Sequence, residues 1–399
     1  MRIASALSTL SSTPAIGQDI EAQLALSHPP DLLLVFITQP LLSEFQPIVN
    51  LLQHALKPAH MLAVIAESVV GPGQEIERAP AVSALAFAGA GAALHSFRLD
   101  EDQWQDVLSD PEELSEALTL AAPFGQEVEQ PRMFLIFGDP FTTPIVQLLD
   151  ACTRRFPGTP IIGGMASGMQ EQGETRLALN GEIYNTGLVG VAFTGNIDVH
   201  SVVSQGCRGV GDTFVVTKSH HNVIEQLNGQ PALAAIEEMV QTLPLQDRLL
   251  LQTGGLHIGR VIDQGKGSYG KGDFLIRSLL EVKRDTGAVA IGDLVRTGQT
   301  LQFHVRDAKT ADEEMRLLLE GETLLSGDSG PPAGALLITC NGRGTRMFDQ
   351  PNHDVALTRQ ILGDIPIAGF FAAGELGPVG DKNFIHGHTA ALALFRNST

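Results

Sequence analysis

Two stretches of this chain match each other: Pro160-Ile-Ile-Gly-Gly-Met-Ala-Ser-Gly168 and Pro366-Ile-Ala-Gly-Phe-Phe-Ala-Ala-Gly374. Five of their nine positions are identical, and each stretch follows an apolar run and a segment with helical spacing of apolar residues. The match continues further on, where residues 183–193 align with residues 385–395. Because self-similarity of this kind marks a repeated structural unit, the chain is expected to contain an internal repeat.

A weaker third copy opens the chain. Leu32–Ile37 is an apolar run typical of a buried strand, a helical pattern follows it, and Met61–Ala66 returns as a strand. A glycine turn and a last strand, Val82–Phe87, close the unit. A strand–helix–strand crossover favours parallel pairing of its two strands, whereas the strand after the glycine turn could pair antiparallel. The sequence thus predicts an α/β fold with mixed sheets, built from related strand–helix–strand–strand units.

The stretch from about residue 206 to residue 330 differs from the repeats. It predicts helices at Ala232–Leu243 and Lys309–Glu320, and strands at Phe274–Lys283, Ala288–Ile291 and Thr300–Val305. A domain boundary is therefore expected near residue 205. The prediction is an N-terminal domain, 1–205, and a C-terminal domain, 206–399, which carries this strand-rich insert before the last repeat.

The composition argues against nucleic-acid-binding, membrane-spanning and disulfide-rich classes of protein. The 399 residues carry a formal net charge of −19, so the electrostatic field repels nucleic acids and anionic membranes. Three cysteines cannot form a disulfide framework, and no apolar run approaches the roughly 20 residues of a membrane helix. We expect a soluble, cytoplasmic protein of more than one domain.

Several short motifs match known functional signatures, but the sequence around them does not support those functions. Gly265-Lys-Gly-Ser-Tyr-Gly270 matches a dinucleotide-binding pattern but precedes a strand, so a mobile loop is the better interpretation. Gly327-Asp-Ser-Gly330 is similar to a serine-protease signature, yet it lies in a connector. No two cysteines lie within four residues, and His386-Gly-His388 is interpreted as two polar residues on one side of a strand end. No metal and no catalytic residue is predicted.

Unusual residues are densest in the last repeat. The segment from Asn341 to Arg346 follows a strand and precedes a helix expected near Asp354, so backbone N–H groups and two guanidinium groups meet at the strand's carboxyl end. Such a loop suits a carboxylate or a phosphate. Glu375 ends the next strand and is expected near Arg343 or Arg346. This pairing suits an amino-acid zwitterion, and a structural salt bridge is the alternative.

With these segments in view, the sequence resembles the FIST family over nearly its whole length. The resemblance rests on Arg2–Ser8, Asp31–Phe36, Glu67–Glu77, Pro160–Gly168, Phe274–Arg277, Gly298-Gln299, Val305–Ala308, Cys340–Phe348, Gly369–Pro378 and Asn383–Thr389. It implies a FIST N-terminal region followed by a FIST C-terminal region, in a stand-alone, bacterial-type member.

The resemblance implies the sensing of a small ligand in intracellular signal transduction, with amino acids as proposed ligands, and no enzymatic activity. The ligand-binding residues are expected to be Asn341, Gly342, Arg343, Gly344, Arg346, Glu375, Asn383, His386 and His388. Any output must pass through a partner protein, such as a histidine kinase.

Three alternatives stay open. Some bacterial relatives resemble haem-based nitric oxide sensors, for which His386, His388 and His257 are the candidate ligands. The chain could instead be a protein-docking scaffold without a ligand. An enzyme using Cys340, or the His386 and His388 pair, is the third alternative.

Overall fold

The computed structural model describes residues 1–89, 91–118, 130–326 and 330–397. The chain divides into two compact units. Unit 1 holds Met1–Ser204, Met315–Ile385 and Thr389–Thr399, and unit 2 holds Gln205–Glu314 and His386–His388. Among the described residues, no helix combines the length and the apolar character that a membrane crossing requires.

The first repeat lies in unit 1. Its strands β2 and β3 are parallel and pair in register from Leu32 with His60 to Thr38 with Ala66, and β6 runs antiparallel to β2. The elements of this part of the chain are β1 (Arg2–Ser8), α1 (Thr13–Leu24), β2 (Leu32–Thr38), α2 (Phe45–Leu56), β3 (His60–Ala66), β4 (Ser68–Gly71), β5 (Gln74–Glu77), β6 (Val82–Ala88) and β7 (Ala92–Leu99).

The second repeat shows the same pairing, with β8 parallel to β9 and β12 antiparallel to β8. Its helix follows the predicted apolar stripe, which buries Leu148, Leu149 and Cys152. The elements are α3 (Trp104–Ser109), α4 (Pro111–Ala117), β8 (Met133–Gly138), α5 (Ile145–Arg155), β9 (Ile161–Met165), β10 (Leu177–Leu179), β11 (Glu182–Tyr184), β12 (Leu188–Gly195) and β13 (Asp198–Gln205).

The insert forms a seven-stranded sheet in unit 2, in the order β14-β20-β17-β18-β19-β15-β16. Residues 265–270 lie in a loop between β17 and β18, and no helix starts there. The elements are β14 (Cys207–His220), β15 (Val223–Leu227), β16 (Gln230–Pro231), α6 (Ala232–Thr242), α7 (Leu245–Gly254), β17 (Leu256–Val261), β18 (Phe274–Lys283), β19 (Ala288–Ile291), β20 (Thr300–Arg306) and α8 (Ala308–Ser326). Residues 327–329 of the protease-like motif lie outside the described residues.

The third repeat again pairs its first two strands in parallel, and its last strand antiparallel to the first. A single 3-10 turn, Gly344–Arg346, precedes its helix. The elements are β21 (Gly334–Cys340), α9 (His353–Leu362), β22 (Ile367–Ala372), β23 (Glu375–Val379), β24 (Lys382–His386) and β25 (Thr389–Arg396). The mixed sheets built from related units are thereby confirmed.

Each repeat gives its hairpin to the sheet of another repeat. Hairpin β4–β5 of the first repeat pairs with β22 of the third. Strand β10 of the second repeat pairs with β3 of the first, and β23 of the third pairs with β9 of the second. The exchange is cyclic, so each of the three six-stranded sheets of unit 1 contains the main strands of one repeat and the hairpin of another. Strands β7 and β13 are edge strands of two of these sheets.

This exchange explains why the compact units differ from the predicted domains 1–205 and 206–399. Along the chain, unit 1 first gives way to unit 2 between Ser204 and Gln205. The third repeat, however, folds with the first two, because each of its neighbours in the cycle shares a backbone ladder with it.

Two trios of phenylalanines fill the core where the repeats meet. Phe36, Phe137 and Phe370 are wholly buried, and their ring centroids lie 5.4 to 5.7 Å apart. The second trio comes from the last strand of each repeat, with centroids 4.8 to 6.2 Å apart: Phe87, Phe193 and Phe395. Four of these six ring pairs are edge to face, and aromatic packing at these distances stabilises beyond the burial of area alone.

Removing one ring of the first trio should therefore weaken all of unit 1. We expect Phe370→Ala to lower the free energy of unfolding by about 3–5 kcal/mol, because a cavity opens among three repeats. Phe141→Ala, at a ring that is 43% exposed, is the control and should change it little. Urea denaturation measures both variants, and equal costs for the two would contradict the shared core.

Candidate functional site

Arg343 is a buried structural cation. Its side chain is wholly buried, and Nε and Nη2 each donate a hydrogen bond of 2.7 Å to the carboxylate of Asp354, the second residue of α9. Thr339 donates its hydroxyl to the same carboxylate, over 2.7 Å. Burial alone would raise the pKa of Asp354, but the Arg343 guanidinium holds that pKa well below its ordinary value. The expected partner, Glu375, is thus not the one that Arg343 binds directly.

Two further carboxyl groups are buried beside this ion pair. Glu75, on β5, accepts a hydrogen bond of 2.9 Å from the backbone N–H of Val355. Burial and then the charge of Asp354 raise the pKa of Glu75 to about 8. Glu75 therefore carries a proton at neutral pH, which removes the cost of burying a third charge.

Glu375 begins β23 and is wholly buried. Its Oε2 accepts a hydrogen bond of 3.1 Å from the backbone N–H of Thr389, and the Cys340 thiol also hydrogen-bonds to the carboxyl group. Burial raises the pKa of Glu375 to about 8, although these hydrogen bonds and the Arg343 charge oppose the shift. Glu375 lies within the electrostatic reach of Arg343, as a neutral acid and not as its counterion.

Arg346 differs from Arg343 in that it is 42% exposed. Its guanidinium donates to both carboxylate oxygens of Glu67, over 2.7 and 3.3 Å, and to the backbone carbonyl of Asn341. A second half-exposed guanidinium, that of Arg78, lies 3.9 Å from the same carboxylate. Two cations therefore share Glu67 at the carboxyl end of the parallel pair β21 and β22.

The 3-10 turn is clamped by Glu77, on β5. The backbone N–H and the hydroxyl of Thr345 donate to its two carboxylate oxygens, over 2.8 and 2.6 Å. Gly344 permits this approach, because its φ is +57° and a Cβ there would come within 2.6 Å of Glu77 Oε1. Hairpin β4–β5 thus holds the whole loop from the first repeat.

The structure separates the remaining predicted residues. Asn383 holds β24 to the start of β9, with its amide accepting from Ile161 N and donating to Thr159 O, over 2.8 and 2.9 Å. His386 and His388 belong to unit 2. The expected strand alternation of these two histidines is wrong, because β24 ends at His386 and His388 lies in the following turn with φ +60°.

The haem alternative meets a steric difficulty in unit 2. His257 and His388 contact each other edge to face, with 4.3 Å between ring centroids. That distance is too short for both rings to bind one haem iron, because two axial imidazoles point their nitrogens at the iron from opposite faces of the macrocycle. The described residues also contain no group of three or more histidine, cysteine or acidic side chains that could hold a metal ion.

Two family models together match most of the chain. The model of the FIST N domain matches residues 31–230, and that of the FIST C domain matches residues 232–378. The chain belongs to the FIST family. FIST domains are sensory domains of signal transduction, and the resemblance seen in the sequence is confirmed.

Similar proteins occur in mycobacteria. The uncharacterized protein MT0656 of Mycobacterium tuberculosis is 39% identical over 343 residues, which cover 86% of this chain and 85% of that protein. The uncharacterized protein Mb0898c of Mycobacterium bovis is 39% identical over 340 residues, which cover 85% and 84%.

Sequence reasoning missed four acids of this site. Glu67, Glu75 and Glu77 come from the first repeat, about 270 residues before the loop that they bind, and Asp354 was expected only as the start of a helix. The spacing of acids on β5 gave a signal, because residues two apart in a strand share a face. Which loop that face meets depends on the exchanged hairpin.

The two arginines should respond differently to truncation. Arg343→Ala leaves Asp354 buried without its counterion, so we expect a loss of about 3–5 kcal/mol in the free energy of unfolding. Arg346→Ala breaks a half-exposed pair and should cost about 1 kcal/mol or less. Chemical denaturation distinguishes them, and a small cost for Arg343→Ala would show that the pair is not structural.

The raised pKa of Glu375 predicts how stability depends on pH. The folded state keeps the proton to about pH 8, whereas the unfolded chain releases it near 4.5. Stability should therefore fall as the pH rises between these values, by at most about 1.4 kcal/mol per pH unit. Glu375→Gln mimics the neutral acid and should flatten this fall, while Glu171→Gln, at an exposed acid, should not. Melting temperatures across this pH range test the prediction, and identical slopes for the wild type and Glu375→Gln would contradict it.

Proposed function

We propose that this FIST protein binds a small carboxylate, preferably an amino acid, at the pair formed by Arg346 and Glu67, and that it acts by binding and not by catalysis. The observation that carries the proposal is the solvent-accessible contact between these two side chains, over 2.7 and 3.3 Å, in which Arg346 is 42% and Glu67 22% exposed. It lies where ligands usually bind in α/β sheets, at the carboxyl ends of parallel strands.

The exposure of the pair decides between the two arginines. Opening the buried contact between Arg343 and Asp354 would strand two charges away from water. Opening the contact between Arg346 and Glu67 costs only about 0–1 kcal/mol, because water screens it. A ligand can therefore replace the second contact but not the first.

The two charges match an amino-acid zwitterion. The planar guanidinium of Arg346 can bind a carboxylate through two parallel hydrogen bonds, and Glu67 can accept from an ammonium group. Arg78, 44% exposed and 3.9 Å from Glu67, adds a second cation beside the carboxylate. The ligand would thus exchange one ion pair for two, without a change in net charge.

Ligand binding would remove one of the contacts between hairpin β4–β5 and the loop after β21. Glu67 directly precedes β4, and the contact with Arg346 ties the start of the hairpin to the loop after β21. A ligand between them loosens that tie while Glu77 keeps its clamp on Thr345. We propose that a partner protein, such as a histidine kinase, reads this local change.

A thermal-shift screen with the twenty amino acids, acetate and succinate tests the site. A compound present at 100 times its Kd should stabilise the protein by about 2.7 kcal/mol. Arg346→Ala should abolish that shift, whereas Arg154→Ala, which removes an exposed guanidinium paired with Asp150 on α5, should keep it.

Glu67→Gln sharpens the test, because it keeps the size of the side chain and removes its charge. It should weaken the binding of amino acids but not of acetate, which has no ammonium group. A shift that survives in Arg346→Ala, or no shift with any compound, would contradict the proposal.

A further inference from the structure

Unit 2 contains a small polar cavity that is separate from the site in unit 1. Its volume is about 190 Å³, and its wall includes Gln205, Phe274, Gln302 and His304. Three of these residues are at least nine-tenths buried: Gln205, Phe274 and His304. Pockets for drug-sized molecules span roughly 300–1,000 Å³, so this cavity would take a smaller molecule.

The sheet alternation explains why polar groups collect here. On β20, the wholly buried Leu301, Phe303 and Val305 face the apolar core of unit 2. Gln302 and His304 alternate with them and therefore point to the opposite face. Gly259, on the neighbouring β17, lets the His304 ring lie flat, because a Cβ there would come within 2.2 Å of its Cε1.

The orientation of the His304 ring follows from its one hydrogen bond. Nδ1 lies 3.1 Å from the backbone carbonyl oxygen of Gln302, and a carbonyl can only accept, so Nδ1 carries the proton. Burial lowers the pKa of His304 to about 4, which keeps the ring neutral. Its Nε2 is then an acceptor, and the hydrogen bond that the structure gives this ring among the described residues is the one at Nδ1.

A hydrogen bond to a backbone carbonyl also fixes the side-chain amide of each of the two glutamines. Gln205 Nε2 donates to the carbonyl of Phe274 over 2.8 Å, and Gln302 Nε2 donates to the carbonyl of Gly211 over 2.9 Å. Each amide nitrogen thus gives one of its two N–H donors to a backbone carbonyl, and each amide keeps its Oε1 as an acceptor. The one guanidinium of the wall, that of Arg208, is occupied by Asp247 and Asp307, over 2.7 and 3.0 Å.

We propose that this cavity binds a small primary amine as its ammonium ion. An ammonium group has three N–H donors and no acceptor, and the neutral side chains of the wall offer three acceptors: His304 Nε2, Gln205 Oε1 and Gln302 Oε1. The wall also includes the charged side chains of Lys271 and Glu314. The Phe274 ring supplies an apolar surface for a short alkyl chain. The site does not rest on the function proposed for unit 1, because a simple amine carries no carboxylate for Arg346.

Calorimetric titration of the full chain with n-butylammonium chloride tests the proposal. We expect binding, and no binding of tetramethylammonium chloride, a cation of similar size without N–H donors. His304→Phe keeps a ring but removes the acceptor, and should weaken binding at least tenfold. His220→Ala, at an exposed histidine of the same unit, should leave binding unchanged.

A measurement on the wild type keeps the test independent of whether the variant folds. The side-chain ¹⁵N spectrum should show Nε2 of His304 unprotonated, and its resonance should move when n-butylammonium is added. No binding up to about 10 mM, equal binding of tetramethylammonium, or a His304 protonated at Nε2 would each overturn the proposal.

Discussion

The pairing of hairpin β4–β5 with β22 is the contact on which the site depends. It brings acids of the first repeat to the loop of the third, about 270 residues away in the chain. Glu75 then meets the start of α9, Glu77 clamps Thr345, and Glu67 reaches Arg346. Backbone ladders of this kind are non-local, so the site forms only when the first and third repeats have folded together.

The two arginines of the loop after β21 have different roles. Arg343 is buried and bound by Asp354, so it fixes the loop to α9. Arg346 is half-exposed and bound by Glu67, so its contact can be exchanged at small cost. Protonation of Glu75 and Glu375 allows four ionisable side chains to share one interior, because only Arg343 and Asp354 remain charged there. The buried pair of Arg343 and Asp354 thus positions the loop that carries Arg346.

The sequence predicted the units of the fold better than their assembly. Apolar periodicity located the parallel pairs β2–β3, β8–β9 and β21–β22, because that signal is local. It could not show which sheet each hairpin joins, since a short strand pairs with any free edge that the tertiary fold presents. The segment from Asn341 to Arg346 was located for the same local reason. The burial of Arg343 was not predictable, because it depends on Asp354, eleven residues later, and on packing from the first repeat.

We propose that a ligand takes the place of Glu67 beside Arg346. A double-mutant cycle measures this exchange, with Glu67→Gln, Arg346→Gln and the double variant unfolded by urea. Without an amino acid, we expect a coupling free energy of up to about 1 kcal/mol between the two side chains. The cycle is then repeated at a saturating concentration of the amino acid that stabilises the wild type most. Under that condition we expect the direct coupling between the two side chains to disappear. We also expect each single variant to lose the stabilisation that the amino acid gives the wild type. A coupling that is the same with and without the amino acid, with ligand-induced stabilisation retained in both single variants, would contradict it.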